Sequence, residues 1–98
     1  MAVYCFDIDG TLCAQEASDY SRAEPFHERI KRVNSLFAEG HRIVLFTARG
    51  SKSGIDWRES TLSQLAEWGV KYHELIVGKP HADFYIDDKA IHSDDFTW

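Results

Sequence analysis

No apolar run in this sequence approaches the roughly 20 residues that a membrane-spanning helix needs. Nor does a basic stretch precede a hydrophobic one near the N-terminus, so no secretory signal is expected and the chain reads as cytoplasmic, without membrane partners. Cysteine is scarce. Cys5 and Cys13 are too few for a disulfide framework, and the expectation is one buried thiol in a strand and one in the loop after it. Basic residues are outnumbered, 11 against 16 acids, for a net charge of -5. That leaves no basic patch to track a phosphate backbone, which argues against general nucleic-acid binding. The five histidines show neither an HExxH motif nor paired spacing, so no zinc site is expected; His81 is the one nearest a polar cluster. Repeats, linkers and low-complexity segments are absent. With 98 residues the chain is too short for two cores, and residues 1–98 read as one domain.

What is present alternates. Apolar runs at residues 2–6, 42–46, 74–77 and 83–86 suit four short strands. The second run is continuously apolar, as in a parallel sheet covered by helices on each face. Between the runs lie helical patterns. Pro25 suits the first position of a helix whose Phe26, Ile30, Val33 and Phe37 share one face and which Gly40 stops. Asp56 and Glu59 form a capping box for a second helix through Trp68, with Leu62, Leu65 and Ala66 inward and Gly69 at its end. Residues 12–24 form a loop of the length usual for a lid, with Tyr20 placed to close over a substrate. Trp57, Trp68 and Tyr72 read as packing residues, and Trp98 as docked on the core or part of a subunit contact.

Strands alternating with helices imply right-handed crossovers and a ligand site beyond the carboxyl ends of the strands. Every polar cluster falls there: Asp7 and Asp9, then Thr47 and Arg49, then Lys79, then Asp87 and Asp88. The first is the most specific. If the pleat continued through both aspartates, their carboxylates would share one side with Ile8 turned away, and they would repel unless something positive sat between them. Gly10 lets the backbone turn, so that amides and the Thr11 hydroxyl could meet an anion. The combination asks for a divalent cation and a phosphate together. An EF-hand calcium loop is excluded, since its later acidic ligands and closing Glu are missing.

The stretch Asp7-x-Asp9-Gly10-Thr11 resembles the first motif of the haloacid dehalogenase superfamily, most of whose members transfer phosphoryl groups. The superfamily pattern continues with Ser or Thr after the second strand, a later Lys and a pair of acids after the fourth. Thr47, Lys79 and Asp87/Asp88 stand in that order here. The wording at residues 47–50, 54–57, 68–73, 78–80 and 85–89 looks like that of small phosphatases attached to capsular polysaccharide biosynthesis. The resemblance implies an α/β fold, a three-layer Rossmann-like domain whose central parallel sheet is flanked by helices. No cap domain is expected, because residues 12–24 and one helix are all that occupy the places where larger members insert one. Such an open site suits bulky substrates, or a homo-oligomer in which a neighbour supplies the lid.

The resemblance also implies roles. Asp7 would be the nucleophile that becomes an aspartyl-phosphate, and Asp9 the general acid and then the base. A magnesium ion would be held by Asp7, the backbone carbonyl of Asp9 and at least one of Asp87 and Asp88. Thr11 and Thr47, with the amides around Gly10 and Ala48, would hold the phosphoryl oxygens, while Lys79 would neutralise charge there. Arg49 is either a second phosphate or substrate contact or a surface ion pair. The expected function is a magnesium-dependent phosphatase acting on a phosphorylated sugar or similar small metabolite. Two alternatives stand beside it: a phosphatase for nucleic-acid ends, against which the charge weighs, and a non-catalytic binding module, against which the intact set of acids weighs.

Overall fold

A computed structural model describes residues 1–14 and 19–98. Three strands and two helices follow one another: β1 (Val3–Phe6), α1 (His27–Ala38), β2 (Arg42–Thr47), α2 (Arg58–Glu67) and β3 (Glu74–Val77), with 3-10 turns at Tyr20–Arg22 and Ser93–Asp95. The sheet is wholly parallel in the order β1-β2-β3, with Phe6 opposite Leu45 and Leu45 opposite Leu75. Side chains in register across parallel strands point to the same face. One face therefore carries Phe6, Ile43, Leu45 and Leu75, and these share a single buried cluster with Ile30, Val33 and Leu36 of α1 and Leu65 of α2.

Both helices thus pack on the same face. Two crossovers of one hand that step in the same direction across a sheet require it. The opposite face, with Cys5, Val44, Phe46 and Ile76, has no helix over it among the described residues, so the second helix layer expected from the sequence is not seen there. Among the described residues no helix is long and apolar enough to cross a membrane.

The helix stops are as expected. At the end of α1 the Gly40 amide donates to the Phe37 carbonyl and the His41 amide to that of Leu36. At the end of α2 Gly69 and Val70 repeat the pattern on Ala66 and Leu65. This double bond needs a left-handed residue just past the helix, and Gly40 (φ 94°) and Gly69 (φ 72°) supply it. The starts differ from expectation. Pro25 lies outside α1, in an isolated bridge with Cys13, and Phe26 at the N-cap is exposed instead of buried. Asp56 sits one residue before the N-cap Trp57 and accepts the Arg58 amide at 3.0 Å, so no capping box forms. Ala66 is exposed, and Thr61 takes an inward place beside Leu65.

The fourth strand is corrected. Residues 80–90 are exposed and form no ladder; Phe84 and Ile86 are 83% and 97% exposed. Local bonds turn the segment on itself: the Tyr85 hydroxyl donates to the Pro80 carbonyl at 2.6 Å, and the Lys89 amide donates to Asp87 at 2.8 Å. The two thiols also exchange places. Cys5 is exposed because it lies on the uncovered face, whereas Cys13 is fully buried because the loop after β1 folds back over the core. Trp98 docks on the core, tilted 33° to Phe6 and edge-on to Phe96.

Candidate functional site

The pleat of β1 stops at Phe6, and Ile8, with no exposure, pins the following turn to the core. The Gly10 amide donates to the Cys13 carbonyl and the Thr11 and Leu12 amides to that of Ile8. These amides are committed within the loop and do not point outward for an anion. The two aspartates leave this turn toward different cations.

Asp7 takes Lys79. The Lys79 amide donates to the Thr47 carbonyl at 3.1 Å, which prolongs the β2 and β3 pairing by one step and aims the side chain back across the strand ends. Its Nζ lies 3.5 Å from Asp7 Oδ1, over the Tyr85 ring at 4.3 Å and 6.0 Å from that of Phe46. Thr11 Oγ1 sits 3.5 Å from the other oxygen, Asp7 Oδ2. Burial pushes the Asp7 carboxyl above the usual carboxylate range; Lys79 pulls it back, and neighbouring Asp9 adds to the rise.

Asp9 takes Arg49. The guanidinium is 4% exposed and donates from Nε and Nη2 to the two Asp9 oxygens, each at 2.9 Å. Its Nη1 donates to Thr61 Oγ1 at 3.2 Å and Gln64 Oε1 at 2.7 Å, while Gln64 Nε2 donates to the Tyr20 carbonyl at 2.8 Å. Tyr20 lies over the same guanidinium at 4.8 Å. Of the two readings open for Arg49, a phosphate or substrate contact and a surface ion pair, the structure shows an ion pair, but a buried one. Thr47, 1% exposed, accepts the Arg49 amide on its hydroxyl at 3.1 Å, and Ala48 accepts the Ser51 amide. Cys13 Sγ donates to Asp9 Oδ1 at 3.5 Å, and burial together with Asp9 pushes this thiol up to about 12.

Asp7, Asp9, Thr47, Arg49 and Lys79 are thus gathered at the carboxyl ends of the three strands. Asp87 and Asp88 are not gathered with them. Asp87 instead accepts the Lys89 amide, which lowers its carboxyl. Among the described residues no group of three or more His, Cys, Asp or Glu stands close enough to hold a metal ion. The donors in place, one Asp7 carboxylate facing an ammonium and one Asp9 carboxylate held by a guanidinium, do not make a magnesium site as they stand. Sequence reasoning did not find Thr61, Gln64 or Tyr20 as partners of Arg49. One signal was available for Gln64: Ser60, Gln64 and Glu67 recur at helical spacing on a single face of α2.

A crystal structure of a structural-genomics target from Vibrio cholerae superposes with a TM-score of 0.87, at 30% identity over 96% of this chain and 85% of that one. This chain belongs to that protein's family. Two structures of the Pnkp1/Rnl/Hen1 complex, one described as an RNA repair complex, share the fold at a TM-score of 0.63 and 22% identity. They match 89% and 86% of this chain but 30% and 27% of theirs. No family model and no curated protein matches the sequence.

Proposed function

We propose that the chain is a phosphatase of the haloacid dehalogenase type, hydrolysing a phosphomonoester of a sugar or similar small metabolite through an aspartyl-phosphate. The observation that carries this reading is the Asp7 and Lys79 pair, 3.5 Å apart beyond the strand ends, with Asp9 two residues on. A carboxylate approaching a phosphate dianion is opposed by charge, and a fixed ammonium at its side offsets that repulsion where the negative charge gathers.

An Asp7 oxygen attacks phosphorus as the bond to the leaving oxygen breaks, and that oxygen receives a proton from Asp9. Asp9 takes this proton up from solvent when one of its oxygens leaves the Arg49 fork. Asp9 then takes a proton from water, whose oxygen attacks the phosphorus of the aspartyl-phosphate and releases inorganic phosphate and free Asp7. For either transfer one Asp9 oxygen has to leave the Arg49 fork, so Arg49 positions the group and its hold is released as substrate enters. Because the donors in place do not make a magnesium site, no role in these steps is assigned to the metal, and the test below is run with and without it. A place in surface-polysaccharide synthesis rests on the narrower resemblance of residues 47–50, 54–57, 68–73, 78–80 and 85–89.

The test is a phosphate-release screen over sugar, nucleotide and amino-acid phosphates and an end-phosphorylated oligonucleotide, with and without magnesium. Sugar phosphates should turn over, and Asp7→Asn should abolish that turnover while the circular dichroism spectrum stays unchanged. Retained turnover in Asp7→Asn removes Asp7 as the nucleophile. Hydrolysis of the oligonucleotide alone overturns the substrate class, and silence across the panel favours a binding module.

A further inference from the structure

Between the Tyr20 turn and α2 lies a cleft of about 340 Å³, within the range of small-molecule sites. Tyr20 and Trp57, with ring centres 5.0 Å apart and planes at 86°, form an aromatic wall. Ser60, Ser63 and Glu67 of α2 and the buried Arg49 also line the cleft. A polar stripe on a helix is ordinarily only a solvated face. Here the Tyr20 turn stands opposite it, fixed by the Gln64 bond to the Tyr20 carbonyl and by the Arg49 guanidinium under the Tyr20 ring.

We propose that this cleft seats the leaving group of the substrate, and that the body it takes is a neutral, hydroxyl-rich ring such as a sugar. The proposal rests on the phosphatase reading and adds to it where the rest of the substrate lies. A general acid has to touch the leaving oxygen, and the acid here, Asp9, is held by the same guanidinium that lines the cleft. A leaving group that reaches Asp9 and extends past Arg49 meets Tyr20 and Trp57. The chemistry of the walls selects the class. The C–H face of a sugar ring is apolar and packs on an aromatic wall, while its edge hydroxyls need the donors and acceptors that Ser60, Ser63 and Glu67 supply. A second phosphate is disfavoured: among the described residues Arg49 is the only cation lining the cleft, four of its five N–H groups are committed, and Glu67 repels an anion. A polynucleotide, with a phosphate at every step, fits poorly for the same reason.

Ser63→Leu tests this. Ser63 is exposed on α2, so leucine keeps the helix while filling the cleft. Turnover of glucose phosphate is compared with that of acetyl phosphate, whose small leaving group does not reach the cleft. The expected result is a fall of about tenfold or more in kcat/KM for glucose phosphate relative to that for acetyl phosphate. Equal loss on both substrates, or no loss on either, overturns the cleft while leaving the phosphatase reading in place. A second arm needs no turnover: saturation-transfer NMR of glucose phosphate on Asp7→Asn should show the ring protons receiving saturation, and adding Ser63→Leu should remove it. Ring protons saturated equally in both proteins contradict the proposal even if no ester is hydrolysed.

Discussion

Removing the Arg49 guanidinium should cost the fold more than removing any exposed charge, and the loss should be shared with Asp9. Arg49 is 4% exposed, and its side chain makes two 2.9 Å bonds to Asp9 and further bonds to Thr61 and Gln64. Truncating one partner of a buried pair typically costs about 3–5 kcal/mol, because the other charge is left unpaired. The Asp9 side chain keeps 13% exposure, so water partly compensates and Arg49→Met should cost about 3 kcal/mol. In a domain of this size that corresponds to a fall in Tm of about 12 °C or more. Asp9→Asn alone strands the guanidinium and should cost a similar amount. The double variant Arg49→Met with Asp9→Asn should then be less destabilised than the sum of the singles by about 2 kcal/mol. Urea unfolding followed by tryptophan fluorescence and circular dichroism gives the cycle. Additive losses would show that the two side chains do not act as a pair, and would remove the structural basis for Arg49 as the residue that positions Asp9.

Two other outcomes follow from the titration behaviour of the site. Lys79→Met removes the charge that pulls the Asp7 carboxyl down, so the Asp7 titration, followed by carboxyl-carbon NMR in magnesium-free buffer, should move to higher pH. Since the folded value is already above the unfolded one, protonated Asp7 favours the fold. That contribution is complete below the unfolded value and is lost as pH rises through the folded one, so the variant should lose stability from acid to neutral pH more steeply than the parent. A shift to lower pH would contradict the placement of Lys79. With a thiol reagent, the exposed Cys5 should react in the native protein, whereas Cys13, buried and pushed up to about 12, should react only on unfolding. Two thiols reacting at equal rates would contradict the buried loop.

Local chemistry was readable from the sequence, and long-range pairing much less so. Gly40 and Gly69 mark the helix ends because the double bond past a helix end demands a left-handed residue, a rule confined to a few neighbours. Residues 74–77 are named correctly as a strand, and the clusters after the first three strands do meet at one end of the sheet. The segment at 83–86 has the composition of a strand, but a strand exists only against a partner edge, which composition does not specify. Cys5 looks buried because its neighbours are apolar, yet its exposure depends on which face of the sheet the helices cover. Arg49 offered two roles from sequence alone. Its actual partner lies 40 residues away, and only the turn after β1 brings Asp9 to it.

The claim on which the account depends is that Asp7 receives the phosphoryl group. Acid-quenching the protein during turnover of acetyl phosphate in magnesium, then reducing with borohydride, converts an aspartyl-phosphate to homoserine at the modified position. Peptide mass spectrometry should find homoserine at position 7 and at no other aspartate, with none in Lys79→Met if the ammonium is required. Turnover at full rate with no modification at Asp7, or modification at another acid, would contradict the account.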